Sequence, residues 1–249
     1  MATEATRRIG PARLTRAYIP GERTVLLVHG YGSTGSLTWA ENGWERSLVR
    51  LGYGVLIPDL RGHGGSDKPV DPTGYSPALF AGDLVALLDE LGLDEVDVVA
   101  HSMGGIVALA LAESSPDRVR SLVLCGTGLS DPFGTRDLEA ERRFLLEGVP
   151  MDDPRQSALL EAALRVPGAD PAAIAAIAAG MVGQRVTSVP RVPTLVVGGD
   201  RDRLAVDTAE YAARIGARHL AVAGRGHFDV LRDPVVFDRV ADFLEEVSP

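Results

Sequence analysis

The residues with the most chemical potential stand in Val96-Asp-Val-Val-Ala-His-Ser-Met-Gly-Gly-Ile-Val-Ala-Leu-Ala, where a β-branched run passes into a helical pattern through His101-Ser102-Met103. A serine on so sharp a strand-to-helix turn presents its hydroxyl at the helix N-terminus, where the backbone dipole favours developing negative charge. The turn needs small residues two positions before and after the serine, here Ala100 and Gly104, because the helix passes close to the strand. The chemistry this suggests is nucleophilic attack; the plainer alternative is a serine that only caps a helix.

A hydroxyl is a weak nucleophile, so it needs a base within hydrogen-bond reach, and the base needs a third group to fix its tautomer. The chain has five histidines. His227, in Ala223-Gly-Arg-Gly-His-Phe, lies in a glycine-flanked loop from which an imidazole can swing toward strand ends, whereas His219 opens a strand and His63 lies in a glycine-rich turn. His29 and His101 read as loop supports. For the acid, Val196-Val-Gly-Gly-Asp-Arg-Asp-Arg-Leu offers both Asp200 and Asp202 after one apolar run, and Asp131 follows the preceding one.

The elements that must position these groups are visible as short apolar runs alternating with longer helical patterns. The runs are Thr24-Val-Leu-Leu-Val, Gly54-Val-Leu-Ile, Val96-Asp-Val-Val-Ala, Leu122-Val-Leu-Cys, Thr194-Leu-Val-Val and His219-Leu-Ala-Val-Ala, and their near-continuous hydrophobicity predicts strands covered on both faces. Helical spacing marks 44–51, 77–91, 103–113, 208–215 and 234–247, and one or two weak strands before Thr24 suggest an antiparallel edge. This is an α/β pattern: a doubly wound, mostly parallel sheet of about seven or eight strands flanked by helices. From 129 to 189 the alternation stops, and the chain is helical and rich in Ala, Asp and Pro. We read 1–128 and 190–249 as one core and 129–189 as a helical cap inserted before the last two strands. The segment Pro171-Ala-Ala-Ile-Ala-Ala-Ile-Ala-Ala-Gly-Met is apolar on nearly all sides, so its helix must be covered or line a cavity.

The chain resembles the α/β-hydrolase family. The turn at Ser102 is similar to that family's G-x-S-x-G elbow, with Ala100 in place of the first glycine. Thr24-Val-Leu-Leu-Val-His-Gly-Tyr-Gly looks like the strand and oxyanion loop, and Pro58-Asp-Leu-Arg-Gly-His-Gly-Gly-Ser like the D-x-R-G-x-G-x-S turn. The resemblance implies Ser102 as nucleophile, His227 as base because it follows the last strand, and Asp202 as acid from its place in G-x-x-D. Asp200 then supports the loop, and Asp131 is a second possibility for the acid. It also implies an oxyanion hole made by the backbone N–H groups of Tyr31 and Met103. Asp59 and Arg61 read as structural. Trp39, Trp44, Phe133 and Met181 are candidates for a substrate pocket, although such residues are more often core.

Composition narrows the function. With 25 Lys plus Arg against 34 Asp plus Glu the net charge is −9, and no basic run exceeds a pair, which argues against nucleic-acid or anionic-membrane partners. The lone Cys125 lies in an apolar run and reads as core packing. The first ten residues lack the apolar core of a secretory signal, and no stretch approaches the roughly 18 apolar residues of a membrane span, so a cytoplasmic location is expected. No G-x-G-x-x-G follows a strand, there is no P-loop, and the histidines show no ligand spacing, so neither cofactor nor metal is expected. The expectation is a cofactor-free serine esterase acting on a small hydrophobic ester, active when its imidazole is neutral. A lactonase, thioesterase, carbon–carbon bond hydrolase or perhydrolase could use the same residues, and a ligand receptor on the same fold is the non-enzymatic alternative.

Overall fold

A computed structural model of the chain describes residues 10–184 and 189–247. The strands are β1 (Arg16–Ile19), β2 (Thr24–Val28), β3 (Gly54–Pro58), β4 (Val96–His101), β5 (Val119–Cys125), β6 (Thr194–Gly199) and β7 (Arg218–Val222). They form one seven-stranded sheet in the order β1-β3-β2-β4-β5-β6-β7. Only β1 runs antiparallel, pairing Arg16 with Pro58 and Ile19 with Val55, as the edge expected before Thr24.

Successive side chains of a strand point to opposite faces, and here both faces are apolar. Leu26, Val28, Val98, Ala100, Leu122 and Leu124 enter one core layer, while Val25, Leu27, Val99, Val123 and Cys125 enter the other. The first layer is covered by α2 (Pro77–Leu91), α3 (Met103–Ser114) and α7 (Thr208–Ile215). The second is covered by α1 (Trp44–Arg50) and α8 (Pro234–Glu246). Helix starts are set by side-chain caps followed by proline: Ser76 accepts the Leu79 amide, and Asp233 that of Val235.

Between β5 and β6 lie α4 (Leu138–Glu147), α5 (Pro154–Leu164) and α6 (Pro171–Met181). The apolar α6 is covered as its composition requires: Ile174 packs with Leu145, Leu160 and Ala163, and Ile177 and Met181 join the sheet-side core. Met181 is therefore core rather than pocket lining. Trp39 is likewise displaced from its expected role. It sits in a single π-helical turn, Ser36–Ala40, fully buried against Trp44 with ring centroids 5.3 Å apart. Trp44 also donates its indole N–H to the Leu231 carbonyl at 2.9 Å, which anchors α1 to the chain before α8. The end of the expected cap, at 185–188, and the N-terminal residues 1–9 lie outside the described residues.

The loop after β3 is held by a buried ion pair. Arg61, 1% exposed, makes a two-pronged contact with Asp83 at 2.5 Å on each arm and donates its remaining Nη1 to the Gly74 carbonyl. Asp83 also accepts the Ala12 amide at 2.7 Å. Removing one partner strands a desolvated charge, so Asp83→Ala is expected to lower unfolding free energy by about 3–5 kcal/mol. Urea denaturation of the two proteins measures it, and a loss below 1 kcal/mol would contradict this account.

Candidate active site

Ser102 sits between β4 and α3 with φ 56° and ψ −124°, and among the described residues it is the one non-glycine with positive φ. A side chain in that region costs roughly 1–3 kcal/mol, so the surroundings must impose it. They do so through the Ser102 amide, which donates to the Cys125 carbonyl at 2.9 Å, and through the Ser102 carbonyl, which accepts from the Gly105 amide and the Thr127 hydroxyl. A Cβ on Gly104 would lie 2.5 Å from the Val28 carbonyl oxygen, and one on Gly105 would lie 2.0 Å from Thr127 Oγ1. Both must be glycine for α3 to approach the sheet this closely. Ala100 is fully buried in the apolar layer, so the alanine at the elbow's first small position is accommodated.

His227 reaches the serine from the loop after β7. Its Nδ1 lies 2.9 Å from Asp202 Oδ2 and its Nε2 lies 2.8 Å from Ser102 Oγ. An ionised carboxylate only accepts, so Nδ1 carries the proton and Nε2 accepts from the serine hydroxyl. Asp202 is itself fixed, because Oδ1 accepts the amides of Leu204 and Ala205 at 2.8 and 2.9 Å. Burial pushes the Asp202 carboxyl up, but the His227 hydrogen bond and charge and these two amides outweigh it and hold it below its ordinary value. The other two acids are engaged elsewhere. Asp200 accepts the Gly224 amide at 2.7 Å, and Asp131 accepts the amides of Phe133 and Gly183.

Three further histidines are buried around the site. His101 Nε2 donates to the His227 carbonyl at 2.8 Å and so ties the His227 backbone to β4. His29 Nε2 accepts the Leu60 amide, which leaves Nδ1 to donate to the Gly30 carbonyl. His63 Nε2 accepts the Gly32 amide, and its Nδ1 donates to the Arg61 carbonyl. The last two rings lock the loop 29–32 against the loop 60–63. That loop passes so near the serine that a Cβ on Gly30 would lie 3.1 Å from Ser102 Cβ. The sequence showed His63 only as part of a glycine-rich turn; its signal was the run His63-Gly-Gly-Ser after Arg61-Gly, whose glycines let the ring turn inward.

Above Ser102 opens a cavity of about 530 Å³. Tyr31, Met103, Phe133 and Phe228 line it together with Ser102 and His227. Phe133 lines this cavity with its ring edge-on to Tyr31 at 5.4 Å, whereas Trp39 and Met181 belong to the core. Met103 is the first residue of α3, so its amide N–H has no intrahelical acceptor.

This fold and site define the class: the chain belongs to the α/β-hydrolase fold family, whose model matches residues 23–150. It is 41% identical over 102 residues to epoxide hydrolase 3 of Siraitia grosvenorii, a match covering 40% of this chain and 30% of the relative. It is 38% identical over 130 residues to 2-hydroxy-6-oxononadienedioate/2-hydroxy-6-oxononatrienedioate hydrolase 1 of Dechloromonas aromatica, covering 52% and 44%. The chain thus spans less than half the length of these two curated relatives. Among solved structures, a thermophilic esterase from Thermogutta terrifontis superposes with a TM-score of 0.79 at 24% identity over 96% of this chain and 95% of that one, a likeness of fold. Among the described residues no helix is long and apolar enough to cross a membrane.

Burial lowers the pKa of His29 to about 4 and of His63 and His101 to about 3, with a neighbouring histidine lowering each further. Unfolding returns each to about 6.5, so the unfolded chain binds more protons and stability falls as pH drops below that value. Each histidine is expected to remove about 2 kcal/mol between pH 7 and pH 5. Urea unfolding at the two pH values measures this, and equal stabilities would refute burial of neutral rings.

Proposed function

We propose that the protein is a serine hydrolase that cleaves a carboxylic ester through an acyl-enzyme. The observation that carries this reading is the hydrogen-bonded chain from Ser102 Oγ through His227 to Asp202, at 2.8 and 2.9 Å, opening onto the cavity. Ser102 Oγ attacks the acyl carbon while His227 Nε2 takes its proton, and Asp202 stabilises the imidazolium that forms. The amides of Tyr31 and Met103 supply the oxyanion donors. His227 then gives its proton to the leaving alcohol. In the second half it takes a proton from water, which attacks the acyl carbon and releases the acid with Ser102 restored. Every step uses groups of the chain and water.

The nucleophile's identity also speaks against epoxide opening, despite the likeness to an epoxide hydrolase. A serine oxygen that opened an epoxide would form an ether, which water does not cleave by acyl chemistry. A carboxylate in that place would form an ester, which it does. Position 102 is serine, so a productive cycle needs an acyl carbon. Lactones and thioesters offer the same carbon with a different leaving atom, and the same steps serve them.

Multiple-turnover hydrolysis of p-nitrophenyl esters of graded chain length tests the reading. The wild type is expected to turn over, and Ser102→Ala to lose about 10⁴–10⁶-fold in kcat while keeping its circular dichroism spectrum. Equal rates in the two proteins, or no turnover of any ester, lactone or thioester by the folded wild type, would overturn it.

A further inference from the structure

On a protein of net charge −9, carboxylates are plentiful, and exposed arginines commonly have one: Arg142 pairs with Glu139 and Glu147, Arg165 with Glu161, and Arg225 with Asp233. The cavity above Ser102 departs from that pattern. Its wall carries four arginines, Arg136, Arg155, Arg201 and Arg203, against one carboxylate, Asp153. They arrive from two directions. Arg136 precedes α4 and Arg155 opens α5, whereas Arg201 and Arg203 bracket Asp202 on the loop after β6.

Among the described residues Arg155, Arg201 and Arg203 have no carboxylate within 4.0 Å. Asp153 uses Oδ1 to cap α5 through the Arg155 and Gln156 amides. Arg136 differs from the other three. Its Nε donates to Glu141, which also accepts from Gln156, and its guanidinium lies 4.8 Å over the Tyr31 ring. Yet Arg136 Nη2 is buried without a partner, as is Glu141 Oε2. An orphaned guanidinium N–H in the cavity wall is costly, and three uncompensated like charges around one opening repel each other. The repulsion among the three falls when an anion enters, and the planar fork of arginine matches a carboxylate. The same wall also carries the apolar side chains of Phe133, Leu159 and Leu204.

We propose that the substrate is an ester carrying a carboxylate remote from the scissile bond, its apolar middle against Phe133, Leu159 and Leu204 and its carboxylate among Arg155, Arg201 and Arg203. The inference rests on the ester-hydrolase reading above. The chemistry is unchanged by it: water is consumed, the ester C–O bond breaks, an alcohol and a carboxylic acid are formed, and the remote carboxylate passes through intact. The arginines bind and orient; they take no part in proton transfer.

The test compares charged esters with neutral isosteres. One pair places the charge on the acyl side, mono-p-nitrophenyl adipate against p-nitrophenyl hexanoate. The other places it on the leaving group, 3-carboxy-4-nitrophenyl hexanoate against 4-nitrophenyl hexanoate. In at least one pair kcat/KM for the anion is expected to exceed that of the neutral ester by about tenfold or more, falling with added salt. In Arg155→Gln/Arg203→Gln that ratio should drop to about one, while Arg239→Gln, on the remote α8, should preserve it. Arg155, Arg203 and Arg239 are exposed, and a melting curve confirms folding. Ser102-dependent turnover that prefers the neutral ester in both pairs, or a ratio unmoved by the double substitution, overturns the proposal and leaves the hydrolase reading intact. Absence of Ser102-dependent turnover of every ester overturns the hydrolase reading itself.

Discussion

The left-handed backbone of Ser102 is the constraint from which the rest of the site follows. A non-glycine residue stays at φ 56° only if its neighbours leave no alternative, and here the restraint comes from three strands at once. The serine amide is held by the end of β5, its carbonyl by Thr127 just beyond, and the helix it opens is pressed onto the carbonyls that end β2. These contacts require β2, β4 and β5 to be adjacent, which is the observed order at the centre of the sheet. The strain is thus maintained by the same apolar layers that make the domain stable, and the hydroxyl is presented in one orientation before any ligand arrives.

Loops at the ends of buried strands carry polar backbone groups that must be satisfied without water, and in this protein imidazole rings do much of that work. His29, His63 and His101 each accept or donate with a backbone partner near the site, and each does so in a single tautomer. A neutral imidazole offers one donor and one acceptor, so it can bridge an N–H and a C=O that a carboxylate or a lysine could not. The same property sets a limit. Protonation removes the acceptor, so the loops that shape the cavity and the stability of the domain depend on pH through the same rings.

Much of this was legible in the sequence, and the rest was hidden for definable reasons. Strands buried on both faces write themselves as unbroken apolar runs, so β2, β3 and β4 could be read to within a residue, whereas β5 begins three residues earlier, at Val119, because Arg120 and Ser121 break its apolar run. Ser102 is marked by its strand-to-helix turn, whereas the naming of His227 and Asp202 rests on the family resemblance, because the residues alone leave Asp200 and Asp131 open. The choice of Asp202 over Asp200 has a local cause in the structure: its other oxygen closes a turn on the Leu204 and Ala205 amides, which aims the carboxylate at the histidine. Apolarity, by contrast, does not say which face a side chain joins. Trp39 and Met181 are as hydrophobic as a pocket lining needs, yet both complete core layers, while Phe133 of the same character reaches the cavity. The arginines were invisible as a group, since Arg136 and Arg203 are far apart in sequence and meet only because α4 and α5 fold over the strand ends.

On the proposed reading that meeting would join recognition to chemistry through one short loop. Arg201 and Arg203 flank Asp202, and Asp202 anchors its loop by accepting the two amides that follow Arg203. A carboxylate drawn to these arginines would order the segment that aims the acid at His227. Binding energy from a part of the substrate remote from the scissile bond would then appear in the rate of the chemical step as well as in affinity, because the geometry it fixes is that of the proton acceptor. The opposite wall contributes through α5, where Asp153 caps the helix and so sets the direction in which Arg155 leaves it. The core therefore fixes where Ser102 stands, and on the proposed reading the segment between β5 and β6 and the loop after β6 would together select the esters that reach it.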